Sequence, residues 1–317
     1  MSRRDHALHR IDITKGIGLE LGPLTSPVVS KGEAKISYLD HMSTEDLKKK
    51  YKGHPFPLED IAPVDYVLVN NSLKDTLKGK KFDYVIASHV IEHIPDTVSW
   101  LADVESILKE GGILSLVIPD KRYTFDILRN VSRPADVIGA YLDKHTRASS
   151  ATMYDFISSV RREIDPPTVW NNPQADYSKK PKNSLEETYK VCLENLKPGK
   201  YVDSHCFVFT PYSFFDIVRA LIKHDLFGYE IAHYETTPRN EIEFYVSLHK
   251  VKSTPAKKLK SIPKLGLSPE GNASEEEIIR LKAELQRLTA SKSWKITKPM
   301  RKAAGVTKKI HRKIRKY

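Results

Sequence analysis

The sequence predicts an α/β fold built on a mostly parallel sheet, and three observations carry that prediction. Short apolar runs alternate with amphipathic segments through the first 120 residues, glycine and proline punctuate the exchanges, and two alternating runs near residues 229–250 are joined by Thr237-Pro238-Arg239-Asn240. Parallel strands need long crossover connections, which the amphipathic segments supply, whereas a short turn joins only antiparallel neighbours.

Taken in order, strands are predicted near residues 17–21, 35–39, 64–69, 82–87 and 112–118. Ser43-Thr44-Glu45-Asp46 opens a helix through Lys50, and Pro95 is placed as the first residue of a helix running to Lys109, where Gly111-Gly112 turns the chain into the next strand. After Pro119 the regularity lapses, and residues 120–210 read as an inserted cap with a helical piece at residues 151–160. Residues 211–224 read as a helix, followed by strands at 229–234 and 241–250 as an antiparallel pair. Residues 1–250 are therefore read as one domain and residues 251–273, rich in Pro, Lys, Ser and Gly, as a linker. In residues 274–317, Ser274 and Glu277 form a capping-box signature before Ile278, Leu281, Leu285 and Leu288, a short amphipathic helix leading into a basic tail.

The formal charge is +12, but residues 291–317 hold eleven Lys/Arg and no acid, so the body is nearly neutral and nucleic acid is not expected as a partner. Cys192 and Cys206 are the two cysteines in the chain, too few for a disulfide framework. No apolar run approaches the roughly 20 residues of a membrane span, and no secretory signal opens the sequence. A cytoplasmic protein, soluble or peripheral on the inner membrane face, is the expectation.

In an open α/β sheet, ligands bind past the carboxyl ends of the strands. Those ends here are Glu20-Leu21-Gly22, Asp40, Asn70-Asn71 and Ser88-His89. A carboxylate at Asp40 suits both ribose hydroxyls of an adenosine, in NAD or in another cofactor, and also suits a helix cap. Gly16, Gly18 and Gly22 do not spell G-x-G-x-x-G, and Pro23 lacks the amide that a pyrophosphate would need, so a cofactor without pyrophosphate is favoured. His89-Val90-Ile91-Glu92-His93 matches H-x-x-E-H, but a zinc hydrolase needs both histidines on one helical face, and here a strand precedes His89 while Pro95 starts the helix.

Glu20-Leu21-Gly22-Pro23-Leu24, Tyr38-Leu39-Asp40, the run from Phe82 to Asp96, and Leu108-Lys109-Glu110-Gly111-Gly112 with Pro119 resemble successive motifs of class I methyltransferases. The resemblance covers residues 15–250. It implies a Rossmann-like fold with a seven-stranded sheet closed by an antiparallel pair, and S-adenosyl-L-methionine as cofactor. It implies that Glu20, Gly22 and Pro23 lie at the methionine end, Asp40 at the ribose, and Ser88 and His89 beside the transferred methyl; Asn70 joins the set as a strand-end residue. The commoner first motif of the family has further glycines where this chain has Pro23-Leu24-Thr25-Ser26-Pro27, and Thr25 or Ser26 hydroxyls are the substitutes at hand.

Methyl transfer to an alcohol needs a base, for which His93 and His205 are the candidates. In an extended segment Asp203 and His205 share a face with Tyr201 and Phe207, which predicts that Asp203 orients His205 beside aromatic surface suited to a sugar ring. Each histidine also has a purely structural reading. Residues 291–301 resemble a segment that ends glycosyltransferases and companion enzymes of bacterial surface-polysaccharide assembly, and a Trp among cations suits an anionic membrane surface. The reading is an O-methyltransferase of a glycan or glycolipid with a glycosyltransferase partner. Its rivals are a nucleic-acid methyltransferase and a non-catalytic cofactor-binding scaffold subunit.

Overall fold

The computed structural model describes residues 2–161, 164–172, 177, 183–197, 200 and 202–265. The amphipathic helix and basic tail at 274–317 lie outside the described residues, as does Tyr201. Seven strands form one sheet: β1 (Gly18–Leu21), β2 (Ile36–Asp40), β3 (Tyr66–Val67), β4 (Phe82–Ser88), β5 (Leu108–Pro119), β6 (Tyr229–Glu235) and β7 (Glu243–Lys250), in the spatial order β3-β2-β1-β4-β5-β7-β6. The first five are parallel, and β7 runs antiparallel to both β5 and β6. This is the Rossmann-like arrangement expected from the motifs. Strand order reverses between β1 and β4, so a crevice opens past their carboxyl ends.

The helices are α1 (Arg3–Ala7), α2 (Thr44–Lys50), α3 (Leu73–Leu77), α4 (Thr97–Ile107), α5 (Pro134–Leu142), α6 (Ser150–Ser159), α7 (Pro166–Asn171), α8 (Leu185–Leu196), α9 (Pro211–Lys223) and α10 (Pro255–Ser261). Both faces of the sheet are covered, which the period of two along β4 records. Val85 and Ala87 join one apolar cluster with Val104 of α4, Val137 of α5 and Phe215 of α9, whereas Tyr84 and Ile86 join a second with Ala7 of α1, Val29 and Tyr245. Gly18 admits this second layer, because a Cβ there would stand 2.2 Å from the Tyr84 ring.

Four local readings change. α4 begins at Thr97, since Asp96 accepts the Ser99 amide at 3.0 Å as N-cap, and Pro95 falls outside the helix. Gly111-Gly112 lie inside β5, which starts directly at Leu108; a register shift against β4 absorbs the added residues, and Lys109 Nζ pairs with Asp83 at 2.8 Å. α10 occupies the first part of the segment read as a linker, where Lys258 is buried and donates to the Phe227 carbonyl at 2.6 Å, and the compact body runs to Leu265. α1 was not anticipated, although Ser2 and Asp5 form its capping box.

Glu20 shapes the loop that follows β1. The side chain is buried, and its two oxygens accept the Val28 amide at 2.7 Å and the Val29 amide at 3.2 Å. Burial lifts the carboxyl from its ordinary 4.5 to about 7, outweighing the two amides and Arg3. The folded state therefore holds this proton more tightly than the unfolded chain does. Stability falls as pH rises from 4.5 towards 7 and levels off above, by roughly 3 kcal/mol from this group. Glu20→Gln keeps one acceptor and cannot ionise, so calorimetric melting of the variant should show a shallower loss of stability between those pH values; equal slopes in the two proteins would refute the assignment.

Candidate active site

At the end of β1, Gly22 has φ +60°, a left-handed conformation natural to glycine, and a Cβ there would lie 3.5 Å from Val90 of the β4 loop. The Pro23 carbonyl accepts the Ser26 amide at 2.9 Å, with Leu24 at φ +44°, so the turn is closed without further glycines. Thr25 is half-buried and Ser26 exposed in this turn. The Glu20 carboxylate accepts two amides of the same loop and so holds the turn in shape.

Asp40 ends β2 and is 7% exposed. Its Oδ1 accepts the His41 amide at 2.7 Å and pairs with His41 Nδ1 at 2.6 Å. Ser43 caps α2, accepting the Asp46 amide, so Asp40 is not that helix's cap. Beyond β3, Asn70 and Asn71 are exposed and both left-handed, at φ +52° and +53°.

His89, past β4, has φ +53°, a strained value for a residue with a side chain. Its Nε2 pairs with the Glu243 carboxylate of β7, and Ser88 Oγ accepts from Arg3 Nη2 of α1. Arg3 Nε donates to Glu243 Oε1 at 2.6 Å, and the Tyr245 hydroxyl donates to the same oxygen at 2.9 Å. Burial alone would raise the Glu243 carboxyl; His89, Arg3 and Tyr245 together hold it below its ordinary value. Ser88 and His89, expected to face a cofactor, are thus engaged by Arg3 and Glu243. Their polar atoms fasten α1 and β7 over the strand ends.

After Val90 the chain makes a 3-10 turn, Ile91–His93, in place of a helix. His89 and His93 therefore do not share a helical face, and the H-x-x-E-H run does not form a zinc-hydrolase pair. His93 Nδ1 bonds Asp203 Oδ1 at 3.0 Å, and Lys50 Nζ of α2 lies 4.0 Å from Asp203 Oδ2. His205, 6% exposed, places Nδ1 2.5 Å from Asp126 Oδ2, and Asp126 is braced by Arg129 at 3.0 Å. The predicted Asp203–His205 pair is therefore replaced by two others. The segment 202–209 is not a strand; it is a loop whose Cys206 and Phe207 amides both donate to the Glu92 carbonyl, at 2.6 and 3.1 Å, which breaks the two-residue alternation. His205 lies against Phe125 and Phe156, with centroids 4.8 and 5.6 Å away, so the expected aromatic surroundings come from other residues.

The two imidazoles meet edge to face, with centroids 4.7 Å apart. Beside them is Glu92, fully buried, neither of whose carboxylate oxygens has a hydrogen-bond partner among the described residues. Its Oε1 is 3.6 Å from His89 Nδ1 and 3.9 Å from His93 Nε2. Burial lowers the His93 pKa, but the Asp203 hydrogen bond and the charges of Glu92, Asp203 and Asp126 more than reverse it, leaving the ring above its ordinary value. Burial likewise acts to raise Asp126, and His205 and Arg129 bring it below the ordinary carboxylate value. Sequence reasoning missed Arg3, Asp126 and Glu243, which lie far along the chain from their partners. Glu92 alone carried a signal, as the middle of the H-x-x-E-H run.

Residues 20–161 match the family model of a methyltransferase domain. No curated protein matches the chain. Among solved structures, the chain is similar to a putative S-adenosylmethionine-dependent methyltransferase from Listeria monocytogenes, with 13% identity, TM-score 0.37, and coverage of 78% of this chain and 98% of that one. It is similar to magnesium protoporphyrin IX methyltransferase from Synechocystis PCC 6803, with 12% identity, TM-score 0.36, and coverage of 78% and 80%. A match to a glycopeptide N-methyltransferase, at 18% identity and TM-score 0.28, covers 38% of this chain and 54% of that one. These likenesses are too distant to carry substrate or mechanism; the family match is confined to residues 20–161, and it is that segment which matches a methyltransferase domain.

Proposed function

We propose that the chain O-methylates a sugar hydroxyl of a glycan or glycolipid at the cytoplasmic membrane face, and that the hydroxyl loses its proton at the Glu92–His93–His205 cluster. The observation that carries this reading is a pair of imidazoles in contact, His205 buried and His93 half-buried, each oriented by its own carboxylate, beside the carboxyl end of β4. An oriented imidazole at a strand end is suited to moving a proton, and a scaffold that had lost catalysis has no need to bury one. The flanking Phe125 and Phe156 suit the apolar face of a sugar ring.

The strand-end residues fit S-adenosylmethionine. Gly22 leaves its turn open beside Val90, and Asp40 has Oδ1 occupied by His41, leaving Oδ2 for ribose hydroxyls. His41 in turn lies 3.4 Å from Lys50 Nζ, which reaches Asp203, so the nucleotide end and the imidazole cluster are neighbours. When bound, the cofactor supplies an electrophilic methyl on a sulfonium. The residues of this chain align the acceptor oxygen with that methyl and exclude competing water. A nucleic-acid acceptor has less support, because the cation excess lies in the tail and not around the cluster.

Asp40→Ala should weaken S-adenosylmethionine binding by about 1 to 3 kcal/mol in titration calorimetry, the loss of charge-assisted hydrogen bonds, while NAD binds neither protein. NAD binding, or unchanged cofactor affinity in the variant, would count against the pocket. With labelled cofactor and lipid-linked glycans, nucleotide sugars and RNA as acceptors, label should enter a sugar fraction. His205→Ala should slow that transfer by about 10² to 10⁴ while cofactor affinity stays within a few fold; label entering only RNA would overturn the acceptor. Removal of residues 274–317 should abolish sedimentation with anionic vesicles at low salt, each engaged cation contributing on the order of 1 kcal/mol. Equal sedimentation with and without the tail would exclude the membrane role.

A further inference from the structure

We propose that Glu92, His93 and His205 are the ligands of a divalent first-row transition cation. One ligand atom from each lies within 4.8 Å of the other two, and all three belong to loops fixed by backbone hydrogen bonds at the Glu92 carbonyl. Metal bonds of about 2.1 Å place neighbouring ligand atoms roughly 3 to 3.5 Å apart, so closure on an ion needs side-chain shifts on the order of 1 Å.

Two independent features point to a cation at this spot. First, Glu92 is fully buried and neither of its oxygens accepts a hydrogen bond among the described residues, a costly state for a carboxylate that a bound cation relieves. Second, both imidazoles engage Nδ1 with a carboxylate, His93 with Asp203 at 3.0 Å and His205 with Asp126 at 2.5 Å, which leaves Nε2 as the coordinating nitrogen. Carboxylates behind histidines are the arrangement that orients metal ligands and raises their basicity. Two imidazoles and one carboxylate favour zinc, iron, cobalt or nickel over magnesium or calcium, which prefer oxygen. Three protein ligands leave a position open to an exogenous oxygen.

This deepens the reading of the cluster as the acceptor-activating centre, with the two imidazoles serving as ligands and the ion, in place of an imidazole, activating the hydroxyl; its catalytic role rests on that reading, although ion binding itself does not. An acceptor hydroxyl on the open position is acidified and its proton passes to solvent. The oxygen then bonds the methyl carbon as the carbon–sulfur bond of the donor breaks, and the sulfonium becomes a neutral thioether.

Co²⁺ is the probe, added to the full chain stripped with chelator, with neither methyl donor nor acceptor present. One equivalent should bind with the visible absorption of a histidine-ligated site, and Zn²⁺ should displace it. Glu92→Gln and His205→Asn should each weaken Co²⁺ at least tenfold, and Asp126→Asn, which keeps every ligand, by about 10- to 100-fold. His224→Asn, at the end of α9, should leave it unchanged. S-adenosylmethionine affinity, measured separately on each variant, reports that it is folded and keeps failure of the methyltransferase reading distinct from failure of the metal site. Less than a tenth of an equivalent bound to the parent protein, or unchanged Co²⁺ affinity in folded Glu92→Gln and Asp126→Asn, would overturn the proposal.

Discussion

The carbonyl of Glu92 accepts two amides from a loop more than a hundred residues away, Cys206 and Phe207, and the arrangement of the whole strand-end cluster depends on that junction. It sets the turn after β4 against the loop before α9, so that His93 and His205 meet edge to face. The Cys206 thiol adds a contact to the His93 carbonyl at 3.3 Å. Burial pushes that thiol up to about 12, so it stays protonated and serves as a donor rather than a nucleophile. Backbone groups buried in two loops would otherwise lack partners, and satisfying them with one another fixes the side chains between them.

Three buried glutamates near the strand ends show three ways of accommodating a carboxylate. Glu243 is surrounded by Arg3, His89 and Tyr245 and remains acidic. Glu20 receives only two amides, and burial prevails. Glu92 receives no direct hydrogen bond among the described residues, with two histidines within 4 Å of it. The contrast follows from position. Glu243 and Glu20 point at chain that packs over them, whereas Glu92 lies beside His89 and His93 with no amide or hydroxyl directed at it among the described residues.

The sheet was legible in the sequence because apolar alternation reports burial on two faces, and the strands from β1 to β5 fall close to where the pattern puts them. The strand-end positions of Gly22, Asp40 and His89 were legible for the same reason. Side-chain pairing was not. Asp203 and His205 stand two apart, yet their partners, His93 and Asp126, lie 110 and 79 residues away, and no local period encodes such distances. Likewise Gly111-Gly112 looked like a helix stop because glycine breaks helices, while a bulge in β5 tolerates it equally well. The first part of the segment after β7 looked like a linker from its Pro and Lys content, but Thr254 and Pro255 start a helix there as readily as they end one.

The clasp between α1 and β7 also bears on how the chain reaches this state. Arg3 precedes Glu243 by 240 residues, so during synthesis the segment that seals the strand ends leaves the ribosome long before the strand that receives it. The apolar face that Ala7 shares with Tyr245 and Ile86 cannot form until β7 has inserted beside β5. Pairings of such long range close slowly. The nascent sheet therefore waits with its β5 edge unpaired, and the last strand to be made both covers that edge and locks the first helix in place.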